Sequence, residues 1–87
     1  MKRYSVSLAR SAQNQLRAIR DVRLRDALER EIHALADPPR PPECVKMSES
    51  ADEWRIRVGE WRVVYRIDDG RVVVVVVRVA PRGGVYR

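Results

Sequence analysis

The segment RIRVGEWRVVYR, residues 55–66, constrains the fold more than any other part of the chain. Gly59-Glu60 separates two runs of strand-forming residues, and glycine in the first position of a two-residue loop suits a II′ hairpin turn. In that register Val58 faces Trp61, Arg57 faces Arg62, Ile56 faces Val63 and Arg55 faces Val64. Successive side chains on a strand point to opposite sides. One surface therefore carries Trp54, Ile56, Val58, Trp61, Val63, Tyr65 and Ile67 and must meet the core. The other carries Arg55, Arg57, Arg62, Val64 and Arg66. Like charges directly opposite one another destabilise a strand pair by roughly a few tenths of a kcal/mol. Arg57 against Arg62 has no acid on the same face to relieve it, and such local violations are expected where function resides. The expectation is a solvated face that binds an anion.

The rest of the sequence says what covers the apolar surface. Alternation in RYSVSL predicts a first strand at about Arg3 to Leu8. The period then changes. Ala12, Leu16 and Ile19 recur at helical spacing, and Asp21 caps a second helix whose stripe is Leu24, Ala27, Leu28, Ile32 and Leu35. The proline-rich DPPRPPE, residues 37–43, ends that helix. Short strands follow at Cys44–Met47, Trp54–Val58, Trp61–Ile67 and Arg71–Val79. The order βααββββ describes one α+β domain over residues 1–87: an N-terminal strand, a helical hairpin and an antiparallel sheet of about four strands with the hairpin on one face.

Charge is distributed unevenly. Of the net +6, residues 1–53 contribute +1, with ten Lys/Arg against nine Asp/Glu, and residues 54–87 contribute +5, with eight Arg against three acids. All eight of those cations are Arg, whose planar fork matches phosphate in a bidentate way. A solvated face enriched in Arg explains the composition equally well. The longest apolar run, Val72 to Val77, is too short to span a bilayer, and MKRYSVSLAR has no apolar segment behind its basic residues. Lone Cys44 excludes an intramolecular disulfide. A cytoplasmic protein without membrane, metal or small-molecule cofactor is the expectation.

Gly-rich phosphate loops are absent, so a sheet face with several arginines points to a polyanion backbone rather than one small ligand. Aromatic residues should interleave where bases stack. Tyr86, between Arg82 and Arg87 in the ending APRGGVYR, is a candidate. A hydrophobic plug at the end of the sheet is an equal alternative for it.

These features together resemble the RelE/ParE superfamily of toxins from type II toxin–antitoxin modules. The likeness runs through the helical hairpin, the connector PPRPPECVKM, the run WRIRVGEWRVVYRIDDGRVVVVVVRVAPR and the terminal VYR. For the RelE branch it implies a metal-independent endoribonuclease, an mRNA interferase that cuts messages in the ribosomal A site by attack of a ribose 2′-OH on the adjacent phosphate. It also implies partners: a cognate acidic antitoxin, the ribosome and mRNA. Carried over by position, the resemblance assigns catalysis to Arg57, Arg62, Arg82 and Tyr86, and contact with RNA phosphate to Arg55, Arg66 and Arg87. Relatives that read V-G-H-R or V-G-K-R supply a histidine or lysine where this chain has Val79-Ala80-Pro81-Arg82, and arginine hardly deprotonates to serve as a base. Two alternatives stay open: a ParE-like poison of DNA gyrase without nuclease activity, and a degenerate module that only binds antitoxin.

Overall fold

A computed structural model describes residues 3–47 and 52–81. In it the chain forms β1 (Ser5–Leu8), α1 (Arg10–Arg17), α2 (Val22–Ala34), β2 (Val45–Lys46), β3 (Glu53–Val58), β4 (Trp61–Asp68) and β5 (Val73–Pro81). The strands make one five-stranded sheet in the order β1-β5-β4-β3-β2. The α+β reading holds, with one correction to the antiparallel sheet. β1 joins it as a fifth strand and runs parallel to β5, because the two helices carry the chain from one edge of the sheet to the other and leave β1 beside the last strand. The remaining pairs are antiparallel.

Each helix follows from its apolar stripe. α1 buries Ala12 and Leu16. α2 starts at Asp21, whose Oδ1 accepts a hydrogen bond from the Leu24 amide at 3.2 Å, and buries Leu28 and Ile32. These residues pack with Ile56, Val63, Tyr65, Ile67, Val74, Val76 and Val79 of the sheet. α1 has a second role. β1 pairs with β5 only as far as Val76, and beyond that point α1 covers the open edge: Ser11 Oγ donates to the Val77 carbonyl at 3.2 Å, and the Val79 amide donates to Gln15 Oε1 at 2.7 Å. Covering an edge with a helix removes a template for unwanted strand pairing.

The β3–β4 hairpin has the expected register at every pair, Arg57 opposite Arg62 included. Gly59 adopts φ 62. A Cβ there would meet nothing within 4 Å, so the turn needs glycine for its backbone conformation and not for space. β5 departs from simple alternation. Val64 pairs with Arg78 and Tyr65 with Val76, so Val77 is the extra residue of a β-bulge. The core side of β5 therefore reads Val74, Val76, Val79.

The end of the sheet at the β4–β5 turn is tied by polar contacts. Asp69 accepts from Tyr4 Oη at 2.6 Å and from Arg40 Nη2 at 2.8 Å. That shared carboxylate raises the pKa values of both partners. Arg40 also lies over the Trp54 ring, 5.1 Å from its centroid. Tyr65 Oη donates to the Pro39 carbonyl at 2.8 Å, which holds the proline-rich connector to the sheet. Burial pushes the Tyr65 phenol well above its ordinary pKa. In the turn itself Val72 has φ 60, a left-handed conformation that a β-branched residue rarely adopts.

Candidate nucleic-acid interface

The sheet face opposite the helices is built in rows, because paired residues on neighbouring strands share a side. The row nearest the β3–β4 turn is Arg57, Arg62, Ala80. The next is Val45, Arg55, Val64, Arg78. The third is Glu53, Arg66, Val75, Ser7. The sequence separated the two faces of β3 and β4 correctly, since Ile56, Val63, Tyr65 and Ile67 are buried in the core while Arg57 and Arg66 are exposed.

Two features of the face differ from expectation. Arg62 is not solvated: only 8% of it is exposed. It stands on a central strand between Arg57 and Ala80, and a long side chain there buries its aliphatic stem while its charged head stays near the surface. The face also carries an acid. Glu53 begins β3 one residue earlier than alternation suggested, and its Oε2 lies 3.0 Å from Arg66 Nη2. That pair neutralises the third row, while Arg57 stands opposite another arginine in the first.

Among the described residues, Arg55, Arg57 and Arg78 form no ion pair. Arg55 Nε is buried without a hydrogen-bond partner. Charged donors in this state have capacity for an external anion. Arg78 was absent from the sequence-derived set, because the valine run carries no alternation and left the facing of its strand unassigned. The signal that would have found it is that a strand with Val74 and Val76 inward cannot also bury an arginine without a partner. Arg55, Arg57, Arg62 and Arg66 thus share one face as expected, and Arg82, Tyr86 and Arg87 lie outside the described residues.

Glu60 is exposed at the turn tip, and Glu53, the carboxylate within the rows, is held by Arg66. Among the described residues no group of three or more His, Cys, Asp or Glu side chains forms a metal-binding set. What the rows can do is hold negative charge with fixed guanidinium groups.

Comparisons with known proteins agree with this architecture. The family model described as "ParE toxin of type II toxin-antitoxin system, parDE" matches residues 6–86. The structure is similar to a chain of the RelBE2 toxin–antitoxin complex from Mycobacterium tuberculosis, with 28% identity, 92% of this chain and 99% of that chain covered, and a TM-score of 0.79. It is similar to a chain of the archaeal RelE–RelB complex from Pyrococcus horikoshii, with 26% identity, 92% and 96% coverage and a TM-score of 0.74. A mutant of E. coli toxin RelE in the free state shares the fold, with 22% identity, 95% and 87% coverage and a TM-score of 0.79. No curated protein sequence matches significantly.

Proposed function

Because this chain belongs to the RelE/ParE superfamily of type II toxin–antitoxin toxins, we propose that it is a ribosome-dependent mRNA endoribonuclease of the bacterial cytoplasm, restrained by an acidic antitoxin. The observation that carries the reading is the direct opposition of Arg57 and Arg62 on the face away from the helices. Arg55 flanks them without an ion pair among the described residues. Guanidinium groups brought side by side on one face complement the closely spaced charges of a polyanion. Two similar structures, the RelBE2 toxin–antitoxin complex and the archaeal RelE–RelB complex, support an antitoxin partner for this chain as well. No helix among the described residues is long and apolar enough to cross a membrane.

The reaction needs three things from the site. A ribose 2′-oxygen attacks the adjacent phosphorus, the bond from phosphorus to the 5′-oxygen breaks, and the products are a 2′,3′-cyclic phosphate and a 5′-hydroxyl. The 2′-proton leaves to a base, and a proton reaches the departing 5′-oxygen. Negative charge gathers on the phosphoryl oxygens in between. Arg57 and Arg62 stabilise that charge, and one preorganised donor of this kind contributes about 3–4 kcal/mol. By the family resemblance Arg82 neutralises the leaving oxygen. Tyr86 stacks on a base and aligns the sugar for in-line attack, where a misplacement of about 1 Å costs roughly a hundredfold. The one carboxylate in the arginine rows, Glu53, is held by Arg66, and the ribosome supplies substrate orientation and the proton acceptor. Naked RNA is therefore cut slowly.

The ParE description of the matching family favours a second reading, a gyrase poison built on the same basic face. Induction of the toxin followed by mapping of message 5′ ends, beside a supercoiling assay on purified gyrase, separates the two. Codon-phased cuts support the nuclease. Inhibited supercoiling with intact messages overturns it.

A further inference from the structure

The valine run 72–77 hides an irregularity of the sheet. Val74 and Val76 are fully buried, and strict alternation would carry residue 78 into the core with them. An arginine there would need a buried partner. The bulge at Val77 resolves the conflict: it lets Val79 reach the core at 2% exposure and turns Arg78 to the arginine face, opposite Val64. Bulges recur beside functional sites because the extra residue re-aims a side chain.

We propose that Arg78 is a phosphate-binding residue, forming with Arg55 a second anion subsite that straddles Val64 beside Arg57 and Arg62. The inference rests on the reading that RNA is the target. Val64 pairs with Arg55 on one side and Arg78 on the other, so the two arginine backbones stand two strands, or roughly 10 Å, apart. A chain bearing successive phosphates spans that separation better than a single small anion. Val64, only 9% exposed, forms an apolar floor between them. Arg78 lines an open depression of about 400 Å³ with Met47, Glu53, Val64 and Val77. Glu53, the one carboxylate there, already holds Arg66 through Oε2 at 3.0 Å, and Arg78 forms no ion pair among the described residues. Its planar fork is left for an incoming phosphate.

The test is a salt titration of toxin association with 70S ribosomes carrying different messages, using the full chain and the variants Arg78→Ala, Arg78→Lys, Arg57→Ala and Arg71→Ala, each checked by thermal melting. Arg78→Ala is expected to bind several-fold more weakly on every message, with the slope of log K against log salt shallower by about 0.7 for one lost phosphate contact. Arg78→Lys restores the slope, and Arg71→Ala matches the parent. An Arg78→Ala variant with parental affinity and slope overturns the subsite. If Arg57→Ala still weakens binding in that case, the RNA reading stands without it. If neither variant changes binding, both fall together. Loss of antitoxin affinity alone, with ribosome binding intact, would assign Arg78 to the protein partner and reject the phosphate role.

Discussion

The two ends of the sheet treat arginine in opposite ways. Around the β4–β5 turn Arg40 meets Asp69 at 2.8 Å, Arg66 meets Glu53 at 3.0 Å and Arg71 meets Asp68 at 3.9 Å. Around the β3–β4 turn Arg57 faces Arg62, and Arg55, Arg57 and Arg78 have no ion pair among the described residues. Residue type is the same at both ends, and the carboxylates decide the difference. Paired arginines fasten loops, and unpaired ones hold open a place for a ligand's charge. Charge count alone therefore says little about function on a basic chain. The residues whose charge the fold fails to neutralise say more.

Arg62→Ala should have the largest effect at the β3–β4 end. Cleavage of translated messages should fall by about two to three orders of magnitude, the usual cost of one preorganised donor. Because Arg62 is 8% exposed, the melt should fall too, through lost packing of its stem. At the paired end Arg71→Ala removes an exposed side chain held at 3.9 Å. It should change stability by no more than about 0.5 kcal/mol and leave cleavage intact.

Alkali should attack the paired end first. Tyr65 is fully buried with its hydroxyl on the Pro39 carbonyl, and burial raises its pKa in the folded state above the unfolded value. The unfolded chain therefore releases this proton first as pH rises. The stability that depends on it is complete below about pH 10 and is lost above it, by up to about 1.4 kcal/mol per pH unit. Chemical denaturation at a series of pH values, with Tyr65→Phe as reference, measures the slope. The phenylalanine variant should lose about 1 kcal/mol at neutral pH from the missing hydrogen bond and show a flatter alkaline limb.

Val72 offers a gain at the same end. Its φ of 60 is one that glycine adopts without strain. Val72→Gly should raise stability by up to about 1 kcal/mol with cleavage unchanged, as read by melting and cleavage side by side.

These effects also mark what the sequence made legible. The Gly59-Glu60 turn and the alternation around it gave the four pairs from Val58–Trp61 to Arg55–Val64 and separated the two faces of β3 and β4, because a two-residue loop leaves one pairing and apolar residues must turn inward. The bulge was illegible for the converse reason. Six identical valines carry no alternation, so nothing in the run shows where one residue is skipped, and Arg78 was assigned no place. Glu53 escaped because strand ends are set by pairing with β4 and not by side-chain pattern. The burial of Arg62 is a tertiary property of a strand with a neighbour on either side, which a single strand's pattern does not display. The parallel entry of β1 follows from how the helices cross the sheet, a long-range matter.

A smaller effect would sharpen the contrast between the two ends. Glu53→Gln releases Arg66 and converts a paired arginine into an unpaired one. Ribosome binding should then become more salt-dependent, by at most about 0.7 in the log–log slope, and the shift would be seen in the same titration that tests Arg78.

The most direct test sets one exposed arginine from each end against the other. Arg57→Ala and Arg66→Ala are compared for A-site cleavage by 5′-end mapping and for stability by thermal melting. Arg57→Ala should lose cleavage by about two orders of magnitude with its melting temperature unchanged or slightly raised, since a like-charge pair is relieved. Arg66→Ala should keep most of its cleavage. Equal cleavage by the two variants, or loss of folding in Arg57→Ala, would contradict the claim that the arginines left without carboxylates are the ones that act on RNA.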